Sequence, residues 1–142
     1  MWLWGTGMLY VIGSLVVFLI GGAVYYQVKL SRRKGGWTRE AFVAEFGQTG
    51  VPASLSGAVY DYYRKHSILK SFRVAPGDSL EGVYSASHDE VDEAVLELSE
   101  RLGIALPPES VLHQWPTPLV TVRDMVFWLD WARRGAPPQS SR

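Results

Sequence analysis

Cysteine is absent from this 142-residue chain, which removes thiol catalysis, disulfide cross-links and cysteine-ligated metals together. The absence fits a reducing compartment without establishing one, because many exported domains also lack cysteine. Neither sign of charge is in excess. The 14 Lys and Arg balance 14 Asp and Glu, so the chain has no electrostatic footprint for nucleic acid. No glycine-rich phosphate loop is present. Gly35-Gly36-Trp37, after a basic run, neither follows a strand nor carries a Walker lysine. Histidine is scarce, with 3 in the chain, and His66 and His113 stand in no recognisable motif. A hydrolase built on Ser, His and an acid therefore has no evident set to draw on. No internal repeat is visible, and no segment alternates apolar with polar residues long enough to make a sheet. No residue is assigned to catalysis and none to a metal.

What is present divides into two unlike parts, which is why mean hydropathy sits at +0.01. The first part, MWLWGTGMLYVIGSLVVFLIGGAVYYQV, carries no charge before Lys29. A bilayer core needs roughly 20 apolar residues in a helix, and Leu9 to Val28 supplies them. Trp2, Trp4 and Tyr10 lie towards one end and Tyr25 and Tyr26 towards the other, as in interfacial aromatic belts. A cleaved signal peptide would want a basic start and a shorter apolar run, so a retained single-pass anchor in the lipid bilayer is expected. Lys29, Arg32, Arg33 and Lys34 follow at once. The positive-inside rule then puts the N-terminus outside and everything after Lys29 in the cytoplasm. Gly13, Gly21 and Gly22 form no GxxxG spacing, so nothing supports pairing of helices in the membrane.

The expected organisation is an anchor over residues 1–30, a basic juxtamembrane linker with a short helix over 31–51, a helical domain over 52–134 and a disordered tail over 135–142. SRRKGG reads as a flexible joint. WTREAFVAEFGQTG reads as a short helix capped by Thr38, with Phe42, Val43 and Phe46 on one stripe and Gly47 or Gly50 as its stop. VPASLSGAVYDYYRKHSI reads as the next helix, with Pro52 near its first turn and Leu55, Val59, Tyr62 and Tyr63 inward. FRVAPGDSLEGVYSA reads as a loop around Pro76-Gly77-Asp78, tucking Phe72, Val74, Leu80 and Val83 under the helices. Ser87 to Leu102 is the clearest helix. Ser87-x-x-Glu90 is a capping box, Val91, Ala94, Val95, Leu98 and Leu102 form the buried face, and Gly103 stops it. A proline-rich connection with one turn of helix leads to Thr121, which caps VRDMVFWLDWARR with Asp124 in the reciprocal position and Val122, Met125, Val126 and Leu129 inward. Trp115, Trp128 and Trp131 are expected to pack in the core or at its edge.

These elements and motifs, from Pro76 to Pro107 above all, resemble an acyl carrier protein. In that family a proline-led loop runs into an Asp-Ser-Leu motif, an acidic helix follows, and Gly-Ile-x-Ile/Leu-Pro closes it. EAVLELSERLGIALP matches the closing half, PGDSLEGVYSASHDEVDE fits the loop without a gap, and TVRDMVFWLDW is similar to the family's last helix. The likeness covers residues 52–134 and implies an all-α fold, an acyl-carrier-like four-helix bundle behind the transmembrane helix. The family's serine carries phosphopantetheine in a phosphodiester. Here His88 occupies that position, Ser87 the preceding Asp and Asp89 the following Leu, and imidazole cannot form that ester. The literal Asp78-Ser79-Leu80 stands nine positions before it. The resemblance thus implies a non-enzymatic adaptor or regulator with no cofactor and a degenerate cofactor position at His88. The alternative is a true membrane-anchored carrier, modified with phosphopantetheine at Ser79 or Ser87 and serving lipid or polyketide synthesis.

Outside the buried stripe of the acidic helix fall His88, Asp92, Glu93, Leu96, Glu97 and Glu100. His88 and Asp92 are one turn apart, but two ligands on an exposed helix hold a metal weakly. Acid groups in the first turn are accounted for by the helix dipole. Leu96 is ringed by carboxylates. In the carrier family the equivalent surface docks on basic patches of partner proteins, which makes Glu93, Leu96, Glu97 and Glu100 the candidate partner contact. The plainer reading is a solvated acidic face with one stray leucine.

Overall fold

The computed structural model describes residues 3–33, 37–67, 71–112, 115 and 117–135. Trp2, Lys34, Ile68, His113 and the tail beyond Gly135 lie outside the described residues. All regular structure among the described residues is helical, and the chain divides into two compact units, Met1–Gly35 and Gly36–Arg142.

The first unit is α1, Leu3–Arg33. Its stretch Gly7–Lys29 is long and apolar enough to cross a membrane. Leu9, Leu15, Val17 and Phe18 are all exposed, on different sides of the helix. The helix runs on through Arg33, so Ser31 to Arg33 of the expected joint are helical, and its remainder lies outside the described residues. Ser31, Arg32 and Arg33 carry no feature that stops a helix.

In the second unit α3 (Ala53–His66) is central, packed on α2 (Arg39–Gly47), α5 (His88–Leu102) and α7 (Val122–Arg133). Leu55, Val59, Leu98, Met125 and Leu129 meet in its core, each no more than 1 % exposed. The short helix α2, expected in a juxtamembrane segment, belongs to this core. Phe42 and Phe46 are fully buried, and Phe42 meets the edge of Tyr60 at 5.3 Å. Arg39 lies across α3 to Asp61 at 3.0 Å. A Cβ on Gly57 would stand 2.5 Å from the guanidinium, so a larger residue there would make the Arg39 side chain shift. The compact unit to which α2 and α3 both belong is Gly36–Arg142.

Residues 72–86 are more ordered than a loop. Ser79 accepts a hydrogen bond from the Gly82 N–H at 3.0 Å and starts a short helix, α4 (Leu80–Tyr84), which Ser85 ends in the left-handed region at φ 54°. The segment is fastened to the start of α7. Leu80 N donates to Val120 O at 2.9 Å, Val122 N to Asp78 O at 3.0 Å, and Arg123 N to Pro76 O at 2.8 Å. The buried Asp78 carboxylate accepts from Ala75 N and from the Tyr84 hydroxyl, each at 2.9 Å. Phe72, Val74 and Leu80 are buried as expected, and Val83 is half-buried.

Both expected capping boxes are present. Ser87 N donates to Glu90 Oε2 at 2.7 Å, and Thr121 N donates to Asp124 Oδ2 at 2.8 Å. Gly103 closes α5 at φ 66°, a conformation that glycine adopts without a Cβ penalty. One further turn, α6 (Glu109–Leu112), interrupts the proline-rich connection. Trp128 is buried, with Trp131 and Trp115 half-buried beside it.

Candidate functional site

The capping box fixes where α5 begins, and the buried stripe fixes its rotation. Ala94, Val95 and Leu98 are buried, together with Ser99, while Val91 and Leu102 are half-covered at the ends. That leaves His88, Asp92, Glu93, Leu96, Glu97 and Glu100 exposed, the set expected from the sequence. Leu96 is 55 % exposed and Leu98 is 0 % exposed, although only one residue separates them.

Leu96 stands on a ridge between two clefts. On one side α5 faces α3 across a groove of about 520 Å³ lined by Tyr62, Tyr63, His66, Glu93, Glu97 and Glu100, among others. On the other side is a more apolar cleft of about 760 Å³, lined by Val95, Leu106, Leu112, Leu119 and Trp128, with Asp92 at its margin. The structure thus brings Glu93, Leu96, Glu97 and Glu100 to one place. Glu97 is paired with Arg101 at 2.8 Å, and Glu90 is held in the capping box. Glu93 and Glu100 have no ion pair among the described residues. The negative field of this face is felt in the groove. Burial raises the Tyr62 hydroxyl above its ordinary range, and the charges of Glu97 and Glu93 raise it further.

His88 does not join this group. It is the first residue of α5 and lines a separate cleft of about 310 Å³ with Ser79, Ser87, Leu80, Val91 and Leu119. Both serines serve as helix caps there, Ser79 for α4 and Ser87 for α5. Among the described residues no three His, Asp or Glu side chains converge on a common point.

The groove's α3 wall was read from sequence only as core. Tyr62 and Tyr63 are indeed 8 % and 3 % exposed, yet they border the groove as well. The signal was available in the spacing, because His66 follows Tyr62 by four residues and so shares its face. Their rings stack at 4.1 Å, and His66 Nδ1 donates to the Tyr62 carbonyl at 2.8 Å. Compared with known protein families, with curated proteins and with solved structures, the chain shows no significant match.

Proposed function

We propose that this chain is a membrane-tethered, non-catalytic adaptor. In this reading residues 52–134 are an acyl-carrier-like four-helix domain that has lost the phosphopantetheine-bearing serine. α1 holds it in the bilayer, with the N-terminus outside and the domain in the cytoplasm. The domain docks a protein bearing a basic patch through Glu93, Leu96, Glu97 and Glu100, and it needs no cofactor.

The observation that carries this reading is Leu96, a large apolar side chain 55 % exposed within a ring of carboxylates. An apolar anchor surrounded by charge suits a binding hot spot, while the carboxylates raise association rate and salt sensitivity. The long tied-down segment before α5 and His88 at the first position of that helix support the likeness to a carrier without its cargo. The engagement of Ser79 and Ser87 as caps supports it too.

The test is a photo-crosslinking side chain placed at Leu96 in the membrane-bound protein, with the exposed Ala44 of α2 as control position. A discrete adduct from position 96, weakened by added salt and missing from position 44, is expected. Equal or absent adducts from the two positions would count against the adaptor.

A further inference from the structure

The domain covers most of its large apolar side chains, and those it leaves exposed are gathered on one side. Among the described residues of Gly36–Arg142 they are Leu96, Leu106, Leu112 and Val120. Helices α2, α3 and α7 contribute none. Leu96, Leu106 and Leu112 all line the apolar cleft of about 760 Å³, together with Leu119 and half-buried Trp115. Val120 lines the smaller cleft beside it, and Pro118 and Leu119 line both, so the two form one continuous surface. Of the larger cleft's lining residues, Asp92 alone is ionisable. A contiguous apolar surface of this kind marks a site of attachment, and so little charge does not suit a complement that works by ion pairs.

What covers this surface follows from how the domain is held. α1 carries a stretch, Gly7–Lys29, long and apolar enough to cross a membrane, and it continues to Arg33. Three residues, 34–36, separate Arg33 from Trp37, a reach of at most roughly 14 Å. A domain on so short a joint stays at the bilayer surface. A second contact with that bilayer is then intramolecular and needs little affinity of its own. Leucines with a tryptophan among them and few charges suit the boundary between lipid headgroups and acyl chains. We propose that Leu106, Leu112 and Val120, with Trp115 beside them, rest in the headgroup region of the bilayer that holds α1 and give the domain a second point of attachment. The inference rests on the anchoring part of the adaptor reading. It leaves the partner contact in place, because Leu96 stands at the edge of the cleft with Glu93, Glu97 and Glu100 on its other side.

The test uses the full chain in nanodiscs of zwitterionic phosphatidylcholine. Because the chain has no cysteine, a fluorophore can be attached at Ser110→Cys or Thr117→Cys, both exposed beside the surface. Glu100→Cys on the acidic face is the control position. Brominated phosphatidylcholine, which quenches on contact, is titrated into the discs. Quenching at positions 110 and 117 should rise in proportion to the brominated fraction and withstand added salt, with little at position 100. Leu106→Ser combined with Leu112→Ser should lower the ratio of docked to free domain roughly tenfold. Val120→Ser, at the most exposed of the three positions, repeats the test if the double variant melts early. Equal quenching at all three labels, none at 110 and 117, or full quenching in a folded serine variant would overturn the proposal. So would quenching that saturates at a small brominated fraction, which would make the occupant one acyl chain held in the cleft. Crosslinks between copies from position 110 would make it a second copy and overturn it too. Extraction of cell membranes with alkaline carbonate tests the anchor separately. If the chain resists extraction while the quenching fails, this surface falls and the anchor stands. If the chain is extracted, neither stands.

Discussion

Leu96→Ala and Leu98→Ala differ by two positions on one helix and should part completely in stability. Leu98 is 0 % exposed, within the core that α5 shares with α3 and α7. Truncation to alanine removes three carbons, about 2.4 kcal/mol at about 0.8 kcal/mol per buried methylene. The cavity left behind adds to this, within the roughly 2–5 kcal/mol typical of buried Leu→Ala changes. In a domain of this size each kcal/mol moves the melting temperature by about 4–8 °C, so a drop of at least about 10 °C is expected. Leu96 is 55 % exposed, and a substitution there costs within about 0.5 kcal/mol, or less than about 4 °C. The assay is a tryptophan-fluorescence melt of both variants in mild detergent, with buried Trp128 as reporter. A large loss for Leu96→Ala, or a negligible one for Leu98→Ala, would mean that the rotation of α5 given above is wrong.

Removing a cap should cost less than opening the core. Ser87→Ala and Thr121→Ala should each destabilise the domain by about 1 kcal/mol in denaturant titrations, with no change in the crosslink from position 96. Alkaline pH should also weaken the fold. Burial raises the Tyr63 hydroxyl, and burial followed by the Asp78 charge raises Tyr84. The unfolded chain releases those protons near pH 10, whereas the folded chain keeps them. Stability is then fully present below about pH 10 and falls above it, by up to about 1.4 kcal/mol per pH unit for each tyrosine. Melts from pH 9 upward should show this decline, and Tyr63→Phe should flatten it. Topology is accessible because the chain has no native cysteine. Ala44→Cys should react with a membrane-impermeant maleimide only after cells are permeabilised, and labelling of intact cells would reverse the proposed orientation.

The helices were legible because their signals are local. Ser87 and Glu90, or Thr121 and Asp124, sit three residues apart and state the helix start by themselves. The 3.6-residue stripe then told Leu96 from Leu98. What was not legible depends on residues far apart in the chain. The segment around Pro76 and Asp78 gains its order by pairing with Val120, Val122 and Arg123, and nothing near Pro76 announces that partner. The same tie places Ser79 where it can start α4. Phe42 and Phe46 showed an apolar stripe, but not that Gly57 leaves room for Arg39 to dock α2 on α3. The groove was half legible. The α5 face came from periodicity, whereas Tyr62 and Tyr63 were absorbed into the core, since a sequence does not show which edge of a buried stripe borders a cleft.

Whether the domain has kept a carrier's docking surface without its cargo is measured most directly by intact mass. The full chain would be expressed beside an active phosphopantetheinyl transferase, with a modifiable carrier in the same cells as positive control. The chain's mass should stay that of the unmodified polypeptide while the control gains the prosthetic group, because His88 stands at the first position of α5. A phosphopantetheine adduct mapped to Ser79 or Ser87 would contradict the adaptor and make this protein a membrane-anchored carrier.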